Sequence, residues 1–231
     1  MRVLLLVPLV VLVGCTSSGR LAETEPRELV VLVHGMGRTQ FSMVSLQVRL
    51  NRAGYRTLNV GYSSFGPDIA DIAEDVGEAV SEAVERHHAP RVHFVTHSLG
   101  GIVVRYLAET DPPSRMGRVV MLAPPNQGSH EADRFSTTVG WLLRPMHELR
   151  TEASTIARLG PMEGVEVAVI AGDRDGKVTV EESRLEGAEH VVVRSGHTFI
   201  MAKPSVARTT ACFFQTGAMD ECTEGTVADE P

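Results

Sequence analysis

The stretch RVHFVTHSLGGIVVRYLAE, residues 91–109, holds a strand, a helix and the single turn between them. The apolar run 91–95 predicts a strand, and Leu99–Glu109 predicts a helix behind it. Ser98 stands at the junction and is followed by Leu-Gly-Gly. A turn of this kind lifts a serine hydroxyl above the sheet and points the next N–H at a developing oxyanion. The pattern therefore predicts that Ser98 is a nucleophile.

Position 96 departs from the common form of this turn, which has glycine two residues before the serine. Thr96 is compact and tolerable in an extended backbone, so the departure weakens the pattern without excluding it. Ser-x-Gly by itself is weak evidence, because a strand that ends in a glycine-rich turn has the same letters. Other segments of the chain must decide between the two interpretations.

Strand-like and helix-like segments alternate along the whole chain. The predicted strands are 28–33, 56–61, 91–95, 118–122, 165–171 and 190–193. The predicted helices are 39–53, a long one that begins after Asp68, 99–109 and 204–214. This alternation predicts an α/β fold with a mostly parallel sheet and helices on both faces. Ligands of such sheets lie beyond the C-terminal ends of the strands.

The length of 231 residues favours one globular domain, which we place at residues 28–215, with a polar C-terminal tail at 216–231. Residues 124–164 interrupt the alternation, and they form either a small cap over a site or a helix packed on the core. The formal net charge of -7, with no block of lysine and arginine, argues against a nucleic-acid partner.

The segment His34-Gly35-Met36-Gly37 strengthens the case for a nucleophile at Ser98. It follows the first buried strand, where a second oxyanion donor belongs when the nucleophile lies on a strand-to-helix turn. The N–H groups of Met36 and Leu99 are the predicted pair. An ordinary glycine turn is the alternative interpretation.

A base and an acid are expected further along, each just past a strand end and in the order Ser, Asp or Glu, His. His197 follows the last predicted strand and is the candidate general base. Asp173 and Asp175 both follow the strand before it, and we favour Asp175 because its turn is long enough to reach the histidine. A calcium loop beginning D-x-D-G is a weaker interpretation, since the other ligands are absent. His97 is expected to point away from Ser98 and to support packing or a loop.

Two of the three cysteines, Cys212 and Cys222, lie ten residues apart near the C-terminus. In an exported protein a disulfide between them is plausible and would hold the C-terminal segment. Two free thiols, with Cys212 buried in the last helix, remain the alternative, because spacing does not show geometry.

The first residues, MRVLLLVPLVVLVGC, combine one basic residue with an apolar run too short to span a bilayer. The end of this run resembles the lipobox of bacterial lipoprotein signal peptides. The resemblance implies a signal peptide at 1–14, lipidation of Cys15 and a polar tether to residue 27. Thr16 lacks the aspartate that resembles an inner-membrane retention signal, which favours the outer membrane if the cell has two. A short secretory signal with an incidental cysteine is the alternative.

Five segments together resemble bacterial α/β-hydrolases of the lipase/esterase type. They are HGMGRT, HFVTHSLGGIVVRYL, VVMLAPPNQGS, DGKVTVEESRLEG and SGHTFIM, and the resemblance spans about residues 29–210. Within that family the sequence is similar to class 2 lipases and to inositol-deacylase-like hydrolase domains, in which the turn often reads THSLGG. In that family the acid belongs to the DG-x-V segment, which supports Asp175.

The resemblance implies an α/β-hydrolase fold and a Ser98, His197 and Asp175 triad that cleaves acyl or lipid esters through an acyl-enzyme, with no cofactor or metal. An apolar mouth at Met36, Leu99 and Trp141 would suit such a substrate. Acyl transfer and thioester cleavage use the same triad, and a non-catalytic envelope protein that uses the fold for binding is a further alternative.

Overall fold

The computed structural model describes residues 27–128, 130 and 155–223. The predicted signal peptide, the predicted lipidation site Cys15 and nearly all of the predicted tether lie outside these residues. So do Trp141 with most of the expected cap, and residues 224–231 of the tail.

Within the described residues there are six strands and six helices, and the strands and the four expected helices follow one another in the predicted order. The strands are β1 Leu29–Val33, β2 Arg56–Val60, β3 Val92–His97, β4 Met116–Leu122, β5 Val167–Gly172 and β6 Glu189–Val193. The helices are α1 Val44–Arg52, α2 Ile69–His87, α3 Leu99–Thr110, α4 Thr155–Arg158, α5 Pro204–Thr216 and α6 Asp220–Thr223. Short 3₁₀ helices precede α1 at Gln40–Met43 and α5 at Ile200–Ala202.

All strand pairs are parallel, and the sheet order is β2-β1-β3-β4-β5-β6. Successive residues of β1 enter opposite cores, because side chains alternate across a strand. Val31 packs in the core beneath α2 and α3, whereas Leu32 packs in the core beneath α1 and α5. The predicted α/β fold, a parallel sheet covered by helices on both faces, is confirmed.

One change in strand bounds bears on the site, because β3 continues to His97 rather than ending at residue 95. Thr96 and His97 pair with Met121 and Leu122 of β4, so the sheet carries the strand to the residue before Ser98. Periodicity alone ended the strand at its last apolar residue, and hydrogen bonds to the neighbouring strand extend it.

Packed structure also continues past the boundary expected at residue 215. Met219 and Cys222 are buried in the core beneath α1 and α5. A disulfide joins Cys212 of α5 to Cys222 of α6, with 5.6 Å between their Cα atoms. Within the described ranges, no helix has the length and apolar character needed to cross a bilayer.

Candidate active site

Ser98 occupies a sharp turn between β3 and α3. Its backbone angles are φ 51° and ψ -122°, a region that non-glycine residues rarely adopt and that stores strain. The Ser98 N–H donates to the carbonyl of Leu122 at 2.9 Å, which fixes the turn to β4. A Cβ atom on Gly100 would lie 2.5 Å from the Val33 carbonyl oxygen. Glycine is therefore required where α3 passes the end of β1.

Thr96, the departure from the common pattern, fits this turn without distortion. It lies in β3 with its side chain buried and aimed toward α3. A Cβ atom on Gly101 would lie 3.3 Å from the Thr96 hydroxyl oxygen, so the second glycine leaves room for the larger residue. Thr96 therefore lies in an extended backbone, as expected from the sequence.

The HGMG segment lies directly against the nucleophile turn. A Cβ atom on Gly35 would lie 3.1 Å from Ser98 Cβ, so the two segments touch. The loop is held from β2, because the Tyr62 hydroxyl donates to the carbonyl of His34 and the Gly37 N–H donates to Ser64 Oγ at 2.8 Å. This arrangement holds the HGMG loop against the turn that carries Ser98.

Tyr62 and Ser64 were not anticipated from the sequence as parts of the site. The Tyr62 ring stacks on His34 with centroids 4.1 Å apart and planes 5° apart. Burial lowers the pKa of His34 and raises that of Tyr62, so both rings stay neutral. The signal that could have found them is their place just past β2, at the same sheet edge as Ser98.

His197 bridges the two other predicted members of the triad. Its Nε2 lies 3.0 Å from Ser98 Oγ, and its Nδ1 lies 2.7 Å from Asp175 Oδ2. The other carboxylate oxygen, Asp175 Oδ1, accepts the N–H groups of Lys177 and Val178 at 2.8 and 2.9 Å. The structure thus brings Ser98, His197 and Asp175 into one hydrogen-bonded chain, although they are distant in sequence.

The Asp175 carboxylate is held in its ionised form. Burial is the largest single influence and by itself would raise its pKa. The hydrogen bond and charge of His197, together with the two backbone N–H donors, outweigh burial and lower the pKa below its ordinary value. Asp175 is therefore anionic at neutral pH and holds the proton of the imidazole on Nδ1.

Asp173, the rival candidate for the acid, has a different place. Its Oδ1 accepts the Ser195 N–H at 3.0 Å, whereas the carboxylate bonded to His197 is that of Asp175. The chain crosses tightly here, since a Cβ atom on Gly172 would lie 2.3 Å from the Ser195 carbonyl oxygen. Asp173 therefore tethers the loop that carries the base.

The loop after β4 is held by a buried arginine. Arg105 of α3 donates to the carbonyl and side-chain oxygens of Asn126, both at 3.2 Å. It also donates to the carbonyls of Leu159 and Gly160. Burial lowers the pKa of Arg105 to about 10, so it stays charged. Nothing in the sequence reasoning pointed to Arg105.

The expectation of an apolar mouth needs one correction. The Leu99 side chain is fully buried in the core beneath α2 and α3, so it offers no apolar surface to a substrate. The helix turns that side chain inward as it leaves the sheet. Exposed rings lie instead at Phe41 in the 3₁₀ helix before α1, at Phe65 after β2 and at Phe199 after His197, with exposures of 76%, 52% and 71%.

Metal ligation has no support among the residues that the structure describes. No group of three or more histidine, cysteine, aspartate or glutamate side chains there has the placement to hold an ion. The first two aspartates of the weaker calcium interpretation are engaged elsewhere, Asp173 with Ser195 and Asp175 with His197.

The parallel sheet and the strained serine turn at its C-terminal edge define the chain as an α/β-hydrolase. The family model described as serine aminopeptidase, S33, matches residues 24–159, more than half of the chain, and the protein belongs to that family. No curated protein matches the sequence.

Solved structures of bacterial lipases and esterases share this fold. The mature lipase BlEst2 from Bacillus licheniformis is 17% identical, with a TM-score of 0.67 over 84% of this chain and 93% of that one. The esterase EaEST from Exiguobacterium antarcticum is 16% identical, with a TM-score of 0.61 over 82% and 92%. Phospholipase PlaB from Legionella pneumophila is 18% identical, with a TM-score of 0.69 over 87% and 61%. At these identities the likeness concerns the fold.

Proposed function

We propose that the protein is a serine hydrolase that cleaves carboxylic esters of acyl or lipid type through an acyl-enzyme intermediate. The observation that carries the proposal is the continuous chain from Ser98 Oγ through His197 to Asp175, with contacts of 3.0 and 2.7 Å. A serine hydroxyl becomes nucleophilic only when a positioned base takes its proton, and this chain supplies that base.

In the proposed first step, Ser98 Oγ attacks the ester carbonyl carbon while His197 Nε2 takes its proton. Ionised Asp175 stabilises the imidazolium that forms and keeps the ring oriented. The tetrahedral intermediate then collapses, the carbon–oxygen bond to the leaving group breaks, and His197 returns its proton to the departing alcohol. Water repeats the sequence on the acyl-enzyme, releases the acid and restores Ser98.

The oxyanion of each intermediate is proposed to accept the N–H groups of Met36 and Leu99. Leu99 is the first residue of α3, where N–H groups are not used by the helix and the dipole favours negative charge. In the described part of the chain, the Met36 N–H donates to no protein acceptor. Donors preorganised in this way stabilise charge that develops only in the transition state.

An apolar acyl group is the substrate feature that the surroundings support. Phe65 approaches the HGMG loop, since a Cβ atom on Gly37 would lie 3.7 Å from its ring. Phe199 follows the base by two residues and is 71% exposed. Aromatic rings left in solvent around a polar reaction centre favour a ligand that covers them.

The test is hydrolysis of p-nitrophenyl esters of graded chain length by residues 16–231, beside the Ser98→Ala variant. The proposal expects turnover by the wild type only, and labelling of Ser98 by a fluorophosphonate. A matched p-nitroanilide tests amide cleavage, the activity suggested by the description of the family model. Equal background rates for wild type and variant, with no labelling of either, would refute the proposal.

We also propose that Cys15 carries a lipid anchor and that the enzyme acts at the cell envelope on ester substrates that partition there. The support is the N-terminal sequence, with its basic residue, apolar run and Leu-Val-Gly-Cys end. Several acyl chains on one residue give stable anchoring, whereas one chain is marginal. Cys15→Ala is expected to release the protein from membranes, and unchanged retention would contradict the anchor.

A further inference from the structure

His97 belongs to the nucleophile strand and contacts two other segments of the site. It is the last residue of β3 and directly precedes Ser98. Its Nε2 lies 2.9 Å from the main-chain carbonyl oxygen of His197, and the two imidazole centroids are 4.9 Å apart. Its Nδ1 lies 2.7 Å from where a Cβ atom on Gly35 would be. One ring therefore joins the nucleophile turn, the oxyanion loop and the base loop.

The tautomer of His97 follows from its partners. A carbonyl oxygen only accepts, so Nε2 carries the proton and donates it to His197. Nδ1 is buried and, within the described ranges, has no hydrogen-bond partner. Burial, followed by the nearby charge of His197, lowers the pKa of His97 to about 3, so the ring is neutral. A neutral neighbour does not repel the imidazolium that forms on His197 during the proposed reaction.

The base loop is thereby attached on both sides of Gly196. Asp173 accepts the Ser195 N–H at 3.0 Å, and His97 donates to the His197 carbonyl at 2.9 Å. The first attachment comes from the end of β5 and the second from the end of β3. Because both strands belong to the same sheet, the backbone of the base is held relative to Ser98 by rigid elements.

We propose that His97 is a positioning residue: its Nε2–H holds the main-chain carbonyl of His197, so that the His197 imidazole spans Asp175 and Ser98. The inference deepens the proposed hydrolase function and rests on it. His97 touches no reacting atom and acts through the backbone of the base. The position of its ring also explains why residue 35 is glycine, because the side chain of any larger residue there would strike Nδ1.

Two amide variants separate this role from simple filling of space. The side-chain nitrogen of glutamine reaches about as far from the backbone as Nε2 of histidine, whereas that of asparagine reaches only as far as Nδ1. His97→Gln therefore retains a donor for the His197 carbonyl, and His97→Asn does not. Both variants are polar and smaller than histidine, and His97→Leu adds a form that packs without donating.

The kinetic expectation concerns kcat, because ground-state binding of the ester does not involve His97. Misplacement of a catalytic group by about 1 Å costs roughly 10²-fold. We expect kcat for a p-nitrophenyl ester to fall about 10- to 100-fold in His97→Asn and His97→Leu, with KM nearly unchanged. His97→Gln is expected to recover kcat to within about threefold of wild type. Thermal unfolding of all forms is measured in parallel.

A second measurement does not depend on activity. The His197 Nδ1–H shared with Asp175 is expected to give a low-field proton resonance by NMR, identified by its absence in His197→Gln. Wild type and His97→Gln should show it, and His97→Asn should lose or broaden it. If wild type hydrolyses nothing, the proposed function fails while this resonance still tests the positioning role. Equal kcat and equal resonances in the Gln and Asn variants, when both are folded, would overturn the inference.

Discussion

Replacing Asp175 with asparagine is expected to trap His197 in the wrong tautomer. Asp175 Oδ1 accepts two backbone N–H groups, from Lys177 and Val178. An asparagine side chain must keep its oxygen there, because turning its NH₂ group toward two donors would leave all of them unsatisfied. The NH₂ group then faces His197 Nδ1, which must accept. The proton moves to Nε2, where it blocks removal of the Ser98 proton.

The size of the effect follows from losing the base while the rest of the site is intact. The same substitution in a serine protease triad lowers kcat by about 10⁴. We expect a similar loss, which corresponds to roughly 5 kcal/mol of transition-state stabilisation at 1.36 kcal/mol per factor of ten. The assay is initial-rate hydrolysis of a p-nitrophenyl ester at neutral pH, with thermal unfolding to show that the variant is folded.

Asp173→Asn is the matched control, with the same chemical change two residues away. Its side-chain oxygen still accepts the Ser195 N–H, so we expect kcat within about threefold of wild type. If Asp173→Asn abolished turnover while Asp175→Asn retained it, the assignment of the acid would be wrong. Equal small losses in both would refute the tautomer argument.

Three further predictions concern stability. Gly100→Ala places a methyl group 2.5 Å from the carbonyl oxygen of Val33, the last residue of β1. We expect the free energy of unfolding in urea to fall by about 3 kcal/mol. Gly160→Ala, whose methyl group would face open space, should change it little. Removing the Cys212–Cys222 disulfide by double substitution to serine should lower stability by about 3 kcal/mol. It should leave kcat nearly unchanged at temperatures where the fold persists, because the neighbouring Met219 N–H donates to Glu189 at the start of β6, at the sheet edge opposite Ser98. The lowered pKa of Asp175 contributes stability that is present above its ordinary value of 3.8 and is lost as pH falls through the folded pKa. The difference in urea midpoint between wild type and Asp175→Asn should therefore shrink only as pH falls below 3.8.

The order of strands and helices could be predicted because it depends on local patterns. The apolar run ending at Val33 reads as a strand buried on both faces, and its side chains do enter two cores. Asp68 was expected to begin the long helix, and it caps α2 by accepting the Asp71 N–H. Each of these features depends on residues only a few positions apart, so periodicity and capping chemistry can predict it.

The roles of the buried polar residues could not be predicted in the same way. The Arg105 guanidinium, deep in α3, reaches carbonyls after β4 and after α4. The partner of Tyr62 is a carbonyl on the loop after β1. Such partners come from segments that the fold brings together, and one sequence gives no distance between them.

The choice between Asp173 and Asp175 shows which features of the site follow from the sequence and which need the tertiary structure. The sequence alone predicted a candidate acid after β5 and a candidate base after β6, since strand ends of a parallel sheet meet at one edge. The tertiary structure decided which carboxylate reaches His197, because Asp173 is occupied by the Ser195 N–H. It also turned Leu99 inward and set His97 between three loops. Local patterns record which residues are buried, whereas contacts between distant segments exist only once the sheet has assembled.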